Sequence, residues 1–195
     1  MSCVKKHKKI VVFEGVDGAG KSTQARLLCF ALKKKNISVD LYHFPSEGII
    51  GKFVRELLEK EKFDILDIRS RALLTASDFY SQYRENNNDS DIIIFDRYFH
   101  SSYVSNDELD KEWIKAIHQY VPDPDIVFFL DGDPKLIKDR YDIDSGARNE
   151  ERQKVFSLRY KKVFKEIPNI TIDANKDIDV IHKEVLQNVT KKINL

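Results

Sequence analysis

The chain has 195 residues, 42% of them hydrophobic, which suffices for one packed domain and excludes wholesale disorder. Thirty-three basic residues balance 32 acidic ones for a net charge of +1, which argues against a dedicated nucleic-acid or membrane surface. Two cysteines, Cys3 and Cys29, build neither a disulfide framework nor a metal site. Free thiols, apolar runs too short to span a bilayer and a start lacking a signal peptide's apolar core lead us to expect a cytoplasmic protein.

In chain order, residues 1–9 read as a basic tail carrying Lys5, Lys6, Lys8 and Lys9, and residues 10–195 as a single domain. Ile10–Phe13 is a short apolar run of strand type. A glycine-rich stretch, Gly15-Val-Asp-Gly-Ala-Gly-Lys-Ser22, follows it, and residues 24–32 continue with apolar side chains at helical spacing. Strand, glycine loop and helix in that order aim backbone N–H groups at an anion. Gly15, Gly18 and Gly20 let the backbone curl around phosphate oxygens. Lys21 supplies charge to the β- and γ-phosphates, and the Ser22 hydroxyl suits Mg²⁺. The pattern predicts binding of a nucleoside triphosphate. Asp17 is an unusual member of such a loop, because phosphates repel it. It is expected to turn toward a sugar hydroxyl or to cap local N–H groups.

Ile37–Tyr42 reads as a second strand, with Phe44-Pro45 after it as either base-pocket wall or core. Helices are expected at 49–60 and 65–85. The second carries Thr75, Ser77, Asp78, Phe79 and Tyr80, suited to a flat base, although aromatics at this spacing also make core. Ile92–Phe95 is wholly apolar, as in a strand covered on both faces. A helix over 108–120 is stopped by Val121-Pro-Asp-Pro-Asp125, and Ile126–Leu130 is another buried strand. A helix is expected at 134–141, a polar lid loop at about 142–150, a helix at 150–166, a strand at 170–172 and a closing helix at 177–189. This alternation specifies an α/β fold: an open, mainly parallel, five-stranded sheet between two helical layers.

Ligands of such sheets bind at the carboxyl ends of strands. Asp96-Arg97 stands at the end of the third. Asp96 can reach Mg²⁺ through water or accept a hydrogen bond from an attacking group, and Arg97 can grip an acceptor phosphate in a bidentate way. The bland reading of the couple is a structural ion pair. Arg140, Arg148 and Arg152 in and around the polar loop can close over a triphosphate, with Arg148 the first choice because it lies beside Gly146-Ala147. The five histidines show no metal-ligand spacing.

Taken together, these residues resemble the thymidylate kinase family over almost the whole chain. The resemblance rests on Phe13–Gln24, on Asp96-Arg97-Tyr98 followed by Ser101-Ser102, on Pro124–Asp131 with Pro134 and Arg140, and on Ile172-Asp173-Ala174. It implies a P-loop NTPase-type three-layer fold and transfer of the ATP γ-phosphoryl group to dTMP with Mg²⁺. Gly15, Val16, Asp17, Gly18, Ala19, Gly20, Lys21, Ser22 and Thr23 would hold ATP, and Ser22 and Asp96 the metal. Asp17 would also meet the deoxyribose 3′-hydroxyl, and Arg97 the dTMP phosphate. Phe44, Phe79, Tyr98, Ser102 and Tyr103 would line the acceptor. Arg148 would act at the transition state, with Arg140 and Arg152 in support. The family is usually homodimeric; the implied partners are small nucleotides, with neither nucleic acid nor membrane.

The chain departs from the family where the base is read. Phe79 stands where many members carry a thymine-contacting arginine, closer to archaeal-type members. Ser46-Glu47 follow Phe44-Pro45 where an arginine is usual, and Val104-Ser105 replace an Ala-Tyr pair. A kinase for another deoxynucleotide or a deoxynucleoside is the near alternative. A GTP-binding switch is the distant one, for which Asn175-Lys176-Asp177-Ile178 is a near miss of the base-reading motif. Intact Lys21, Ser22, Asp96 and Arg97 speak against a catalytically dead module.

Overall fold

A computed structural model describes residues 8–59, 65–85, 90–133, 135 and 150–193. Five strands, β1 (Lys9–Glu14), β2 (Val39–His43), β3 (Ile92–Asp96), β4 (Ile126–Asp131) and β5 (Ile170–Asp173), form one sheet in the order β2-β3-β1-β4-β5, with every pair parallel. The helices are α1 (Lys21–Lys34), α2 (Ile49–Glu59), α3 (Ile68–Glu85), α4 (His100–Ser105), α5 (Lys111–Ile117), α6 (Glu150–Phe164) and α7 (Ile178–Ile193). α1 packs on α7, α2 on α3, and α4 against both α5 and α6. The expected fold class is the observed one.

β1 and β3 are buried along almost their whole lengths, which explains their unbroken apolar runs. Phe13 lies opposite Asp96 on one side and opposite Phe128 on the other, and the Phe13 and Phe128 rings stack with centroids 5.2 Å apart. Lys9, expected in the tail, opens β1: its N–H bonds Asp91 O at 3.0 Å and its ammonium meets Asp125 at 2.8 Å.

β2, α3 and α7 depart from their expected bounds by one to four residues at an end, and two larger differences have local reasons. The helix expected at 108–120 contracts to α5, because the Asp110 carboxylate caps the Trp113 N–H and residues 118–121 close tighter turns. α4 appears where no helix was expected, its six residues being too short for periodicity to show. Of the helix expected at 134–141 only residue 135 is described, and of the lid loop only Glu150, which opens α6. Among the described residues, no helix is long and apolar enough to cross a membrane.

Phe128 is wholly buried at the sheet centre. Phe128→Ala should cost ~3–5 kcal/mol of stability through lost burial and a residual cavity, read from urea unfolding. A loss below ~1 kcal/mol would mean the Phe13 stack does not anchor the sheet.

Candidate active site

The phosphate loop begins where β1 runs into Gly15. That residue has φ +145°, and a Cβ there would stand 2.6 Å from the Leu130 carbonyl oxygen, so only glycine fits. Gly20 takes a left-handed conformation at the N-cap of α1. It offers no capping side chain, and the first turn of α1 holds no acidic residue. The helix end therefore keeps its N–H groups and positive dipole for an anion.

Lys21 is buried, and its ammonium donates to the Val16 carbonyl at 2.7 Å. Burial pushes its pKa down to about 7; Arg97 pushes the same way, while Asp96 and Glu14 oppose the shift. The Ser22 hydroxyl donates to Asp96 Oδ2, across the gap between the loop and β3. Two hard oxygen donors, one of them a carboxylate, thus stand side by side, as a magnesium site requires.

Arg97 follows β3 with φ 71°, a left-handed conformation uncommon for a non-glycine residue. Its N–H bonds the Phe13 carbonyl at 2.9 Å, so the backbone reversal is fixed by β1. Its guanidinium reaches over the phosphate loop. Nη2 pairs with the Asp17 carboxylate, while Nη1 donates to the Tyr160 hydroxyl at 2.7 Å and to the Gly15 carbonyl at 3.4 Å. In this arrangement the Asp17 carboxylate is a partner of the arginine.

Behind the couple lies Glu14, wholly buried. Its carboxylate accepts from the Tyr98 N–H at 2.8 Å, the Ser101 hydroxyl at 2.8 Å and the Tyr160 hydroxyl at 3.3 Å. Burial raises its pKa against the pull of Arg97, the Ser101 hydroxyl, the Tyr98 N–H and Lys21. Glu14 and Tyr160 were not singled out from the sequence. The available signal was a carboxylate ending a buried strand, which must be paired to be tolerated there.

The expected acceptor-side residues divide into two groups. Phe44 and Tyr103 are half-buried. Phe79, Tyr98 and Ser102 are buried. Phe79 stacks under Phe44 with centroids 4.2 Å apart and meets Tyr98 edge-on at 4.6 Å. The Tyr98 hydroxyl donates to the Pro122 carbonyl at 2.9 Å, and Ser102 Oγ lies 3.0 Å from His118 Nε2. Asp78, buried, accepts from the Ser46 N–H at 2.8 Å and from its hydroxyl, which holds the turn after the cis Phe44–Pro45 bond against α3.

A second cation stands beside that turn. Arg55, from α2, donates to the Pro45 and Ser46 carbonyls at 2.9 and 3.1 Å and pairs with Glu47 at 2.9 Å. It occupies the neighbourhood where the sequence lacks the usual arginine, and only the folding back of α2 reveals it. Arg152 is exposed, with its guanidinium 5.7 Å from the Phe156 ring centroid, and none of its described contacts reaches the phosphate loop. Arg140 and Arg148 lie outside the described residues. Among the described residues, no cluster of His, Cys, Asp and Glu could hold a metal by itself.

An anion cradle at one strand end and an acidic-basic couple at its neighbour define a nucleotide phosphotransferase of the P-loop class. The profile of the thymidylate kinase family matches residues 13–185. A probable thymidylate kinase of Methanosphaera stadtmanae is 34% identical, the alignment covering 95% of this chain and 99% of that protein. A thymidylate kinase of Plasmodium falciparum is 31% identical over 96% of this chain and 92% of that one. A solved thymidylate kinase structure from Candida albicans superposes with a TM-score of 0.76 at 24% identity, covering 96% and 93% of the two chains. The chain belongs to the thymidylate kinase family.

With a pKa of about 7, Lys21 is mostly neutral at pH ~8 in the free protein. A bound triphosphate favours the charged form, so ATP binding at that pH should take up a proton. Calorimetry in buffers of different ionisation enthalpy should detect the uptake, and Lys21→Met should abolish it. Binding without proton exchange at pH ~8 would contradict the desolvated state of this lysine.

Proposed function

We propose that this chain transfers the γ-phosphoryl group of ATP to the 5′-phosphate of dTMP, giving ADP and dTDP. The observation that carries the reading is the meeting of the Asp96-Arg97 couple with the phosphate loop. Asp96 bonds Ser22 and Arg97 spans Gly15 and Asp17, so donor and acceptor anions share one gap. A nucleoside acceptor would leave Arg97 without its anion.

The roles follow from charge. The loop N–H groups and Lys21 hold the ATP phosphates, and Thr23 continues the loop's contacts into α1. Ser22 and Asp96 are the residues that would hold Mg²⁺, which neutralises developing phosphate charge when bound. Asp96 also accepts from, and so orients, groups in the gap. Arg97 grips the acceptor phosphate and leaves Asp17 for the deoxyribose 3′-hydroxyl. Phe44 and Tyr103 face the base, with Phe79, Tyr98 and Ser102 shaping the wall from behind. Arg55 sits where a second cation could meet the acceptor. Arg148 stabilises the transferring group, with Arg140 and Arg152 in support, and the segment 142–150 acts as the lid.

The reading includes a homodimer in the cytoplasm. Exposed apolar side chains on α2 and α3, including Ile49, Phe53 and Leu73, give a face that a second copy would cover, and the free thiol of Cys29 suits a reducing compartment. Relaxed acceptor choice is a second reading, favoured by Phe79 in place of an arginine that would hydrogen-bond the base.

Transfer from ATP to dTMP, dUMP, dGMP, dCMP and thymidine tests both. We expect dTMP to be the best acceptor and thymidine inert; no transfer to any monophosphate would refute the function. Arg97→Ala should weaken dTMP binding by ~1.5 kcal/mol or more, as a charged hydrogen bond is lost. Unchanged dTMP affinity would remove Arg97 as the clamp.

A further inference from the structure

Arg97 is gripped from two sides by chemically different groups. On the outer side, Nη2 pairs with the carboxylate of Asp17, itself partly exposed on the loop. On the inner side, Nη1 donates to the Tyr160 hydroxyl at 2.7 Å, and Tyr160 is 2% exposed. A guanidinium has only donors, so the phenol oxygen accepts at this contact. Its own single proton is then free for Glu14 Oε2, 3.3 Å away. Ser101 Oγ, 3.2 Å from the same phenol oxygen, donates to Glu14 as well. Donation thus runs from Arg97 to Tyr160 to Glu14.

The phenol is fixed as well as paired. Its ring stacks on Phe129 with centroids 6.0 Å apart and on Phe164 at 5.9 Å. Burial pushes its pKa up to about 12, so the hydroxyl keeps its proton and the direction of donation holds at physiological pH.

The two grips respond differently to an arriving acceptor. Its phosphate and the Asp17 carboxylate are both anions and compete for the same guanidinium edge. Tyr160 is neutral and buried and meets the other nitrogen, Nη1, so an anion arriving at Nη2 does not compete with it. Without it, an arginine released by Asp17 would keep only the long 3.4 Å contact with the Gly15 carbonyl, and ordering its side chain would cost affinity. We propose that Tyr160 is a positioning residue for the acceptor phosphate, its hydroxyl braced by Glu14 and holding the Arg97 guanidinium in the gap when Asp17 gives way. The proposal rests on the reading of Arg97 as the acceptor clamp. It gives α6 a part in acceptor binding from the buried side of the site.

The test is Tyr160→Phe in the full chain, which keeps the ring stacking and removes only the hydroxyl. We expect dTMP binding and KM weakened ~10-fold, ATP KM within about twofold of the parent, and one cooperative unfolding transition at a somewhat lower Tm, because Arg97 and Glu14 each lose a buried partner. In an Arg97→Ala background the same change should cost no further dTMP affinity. Retained ATP affinity and a cooperative unfolding transition show that each variant is folded. Parent-like dTMP binding in Tyr160→Phe, an undiminished loss in the Arg97→Ala background, or equal weakening of ATP and dTMP would each overturn the proposal. If Arg97→Ala itself spares dTMP binding, the clamp reading falls with it; if only Tyr160→Phe is silent, the clamp stands and the positioning role alone is refuted.

Discussion

The parallel register that sets Phe13 opposite Asp96 is the constraint on which the site depends. β1 ends by entering the phosphate loop, and β3 ends in the acidic-basic couple. Because the strands are neighbours in phase, the two ends arrive at the same height on the sheet edge. The Arg97 N–H extends this register one step further by bonding the Phe13 carbonyl. A slip of one residue would turn every side chain of β3 to the opposite face and take Asp96 away from Ser22. Such slippage is opposed by the apolar burial of both strands and by the Phe13–Phe128 stack on the other flank.

Electrostatics then determine how the site waits for its ligands. Lys21, Arg97, Glu14 and Asp96 lie within a small, largely buried region, and isolated charges there would cost several kcal/mol each. The structure avoids that cost by internal pairing. Lys21 turns to a loop carbonyl, Ser22 to Asp96, and Arg97 to Asp17 and Tyr160. The outer contacts of Lys21, Ser22 and Arg97 are of the kind that phosphate oxygens, or a cation bound with them, can replace. The inner contacts, centred on Glu14, involve no group that a ligand would need. Exchange at the surface of the site over a fixed interior is what allows binding without rebuilding the fold.

Much of this was legible in the residues. The unbroken apolar runs of β1, β3 and β4 announced strands covered on both faces, and the loop from Gly15 to Ser22 announced its ligand class. The Asp96-Arg97 couple was legible because carboxyl ends of parallel strands are where α/β sheets bind. What escaped notice depends on long-range geometry. Tyr160 occupies a position of α6 indistinguishable, by periodicity, from any core aromatic; its hydroxyl matters only because Glu14 and Arg97 arrive from distant strands. Arg55 reads as an ordinary helix cation until α2 folds back on the Pro45 and Ser46 carbonyls. Phe79 shows the reverse. It was read as suited to a flat base or as core, and it is buried and stacks beneath the half-buried Phe44. α4 and the capped start of α5 were missed or misplaced because a six-residue helix and a single capping carboxylate leave little periodic trace.

A crystal structure of the protein with ADP, Mg²⁺ and dTMP bound measures the central claim most directly. The account predicts the dTMP phosphate on the Arg97 guanidinium, Asp17 released from that arginine, the metal beside Ser22 and Asp96, and the two nucleotides meeting between β1 and β3. A complex in which Arg97 stays paired with Asp17 while the acceptor phosphate lies elsewhere would contradict it.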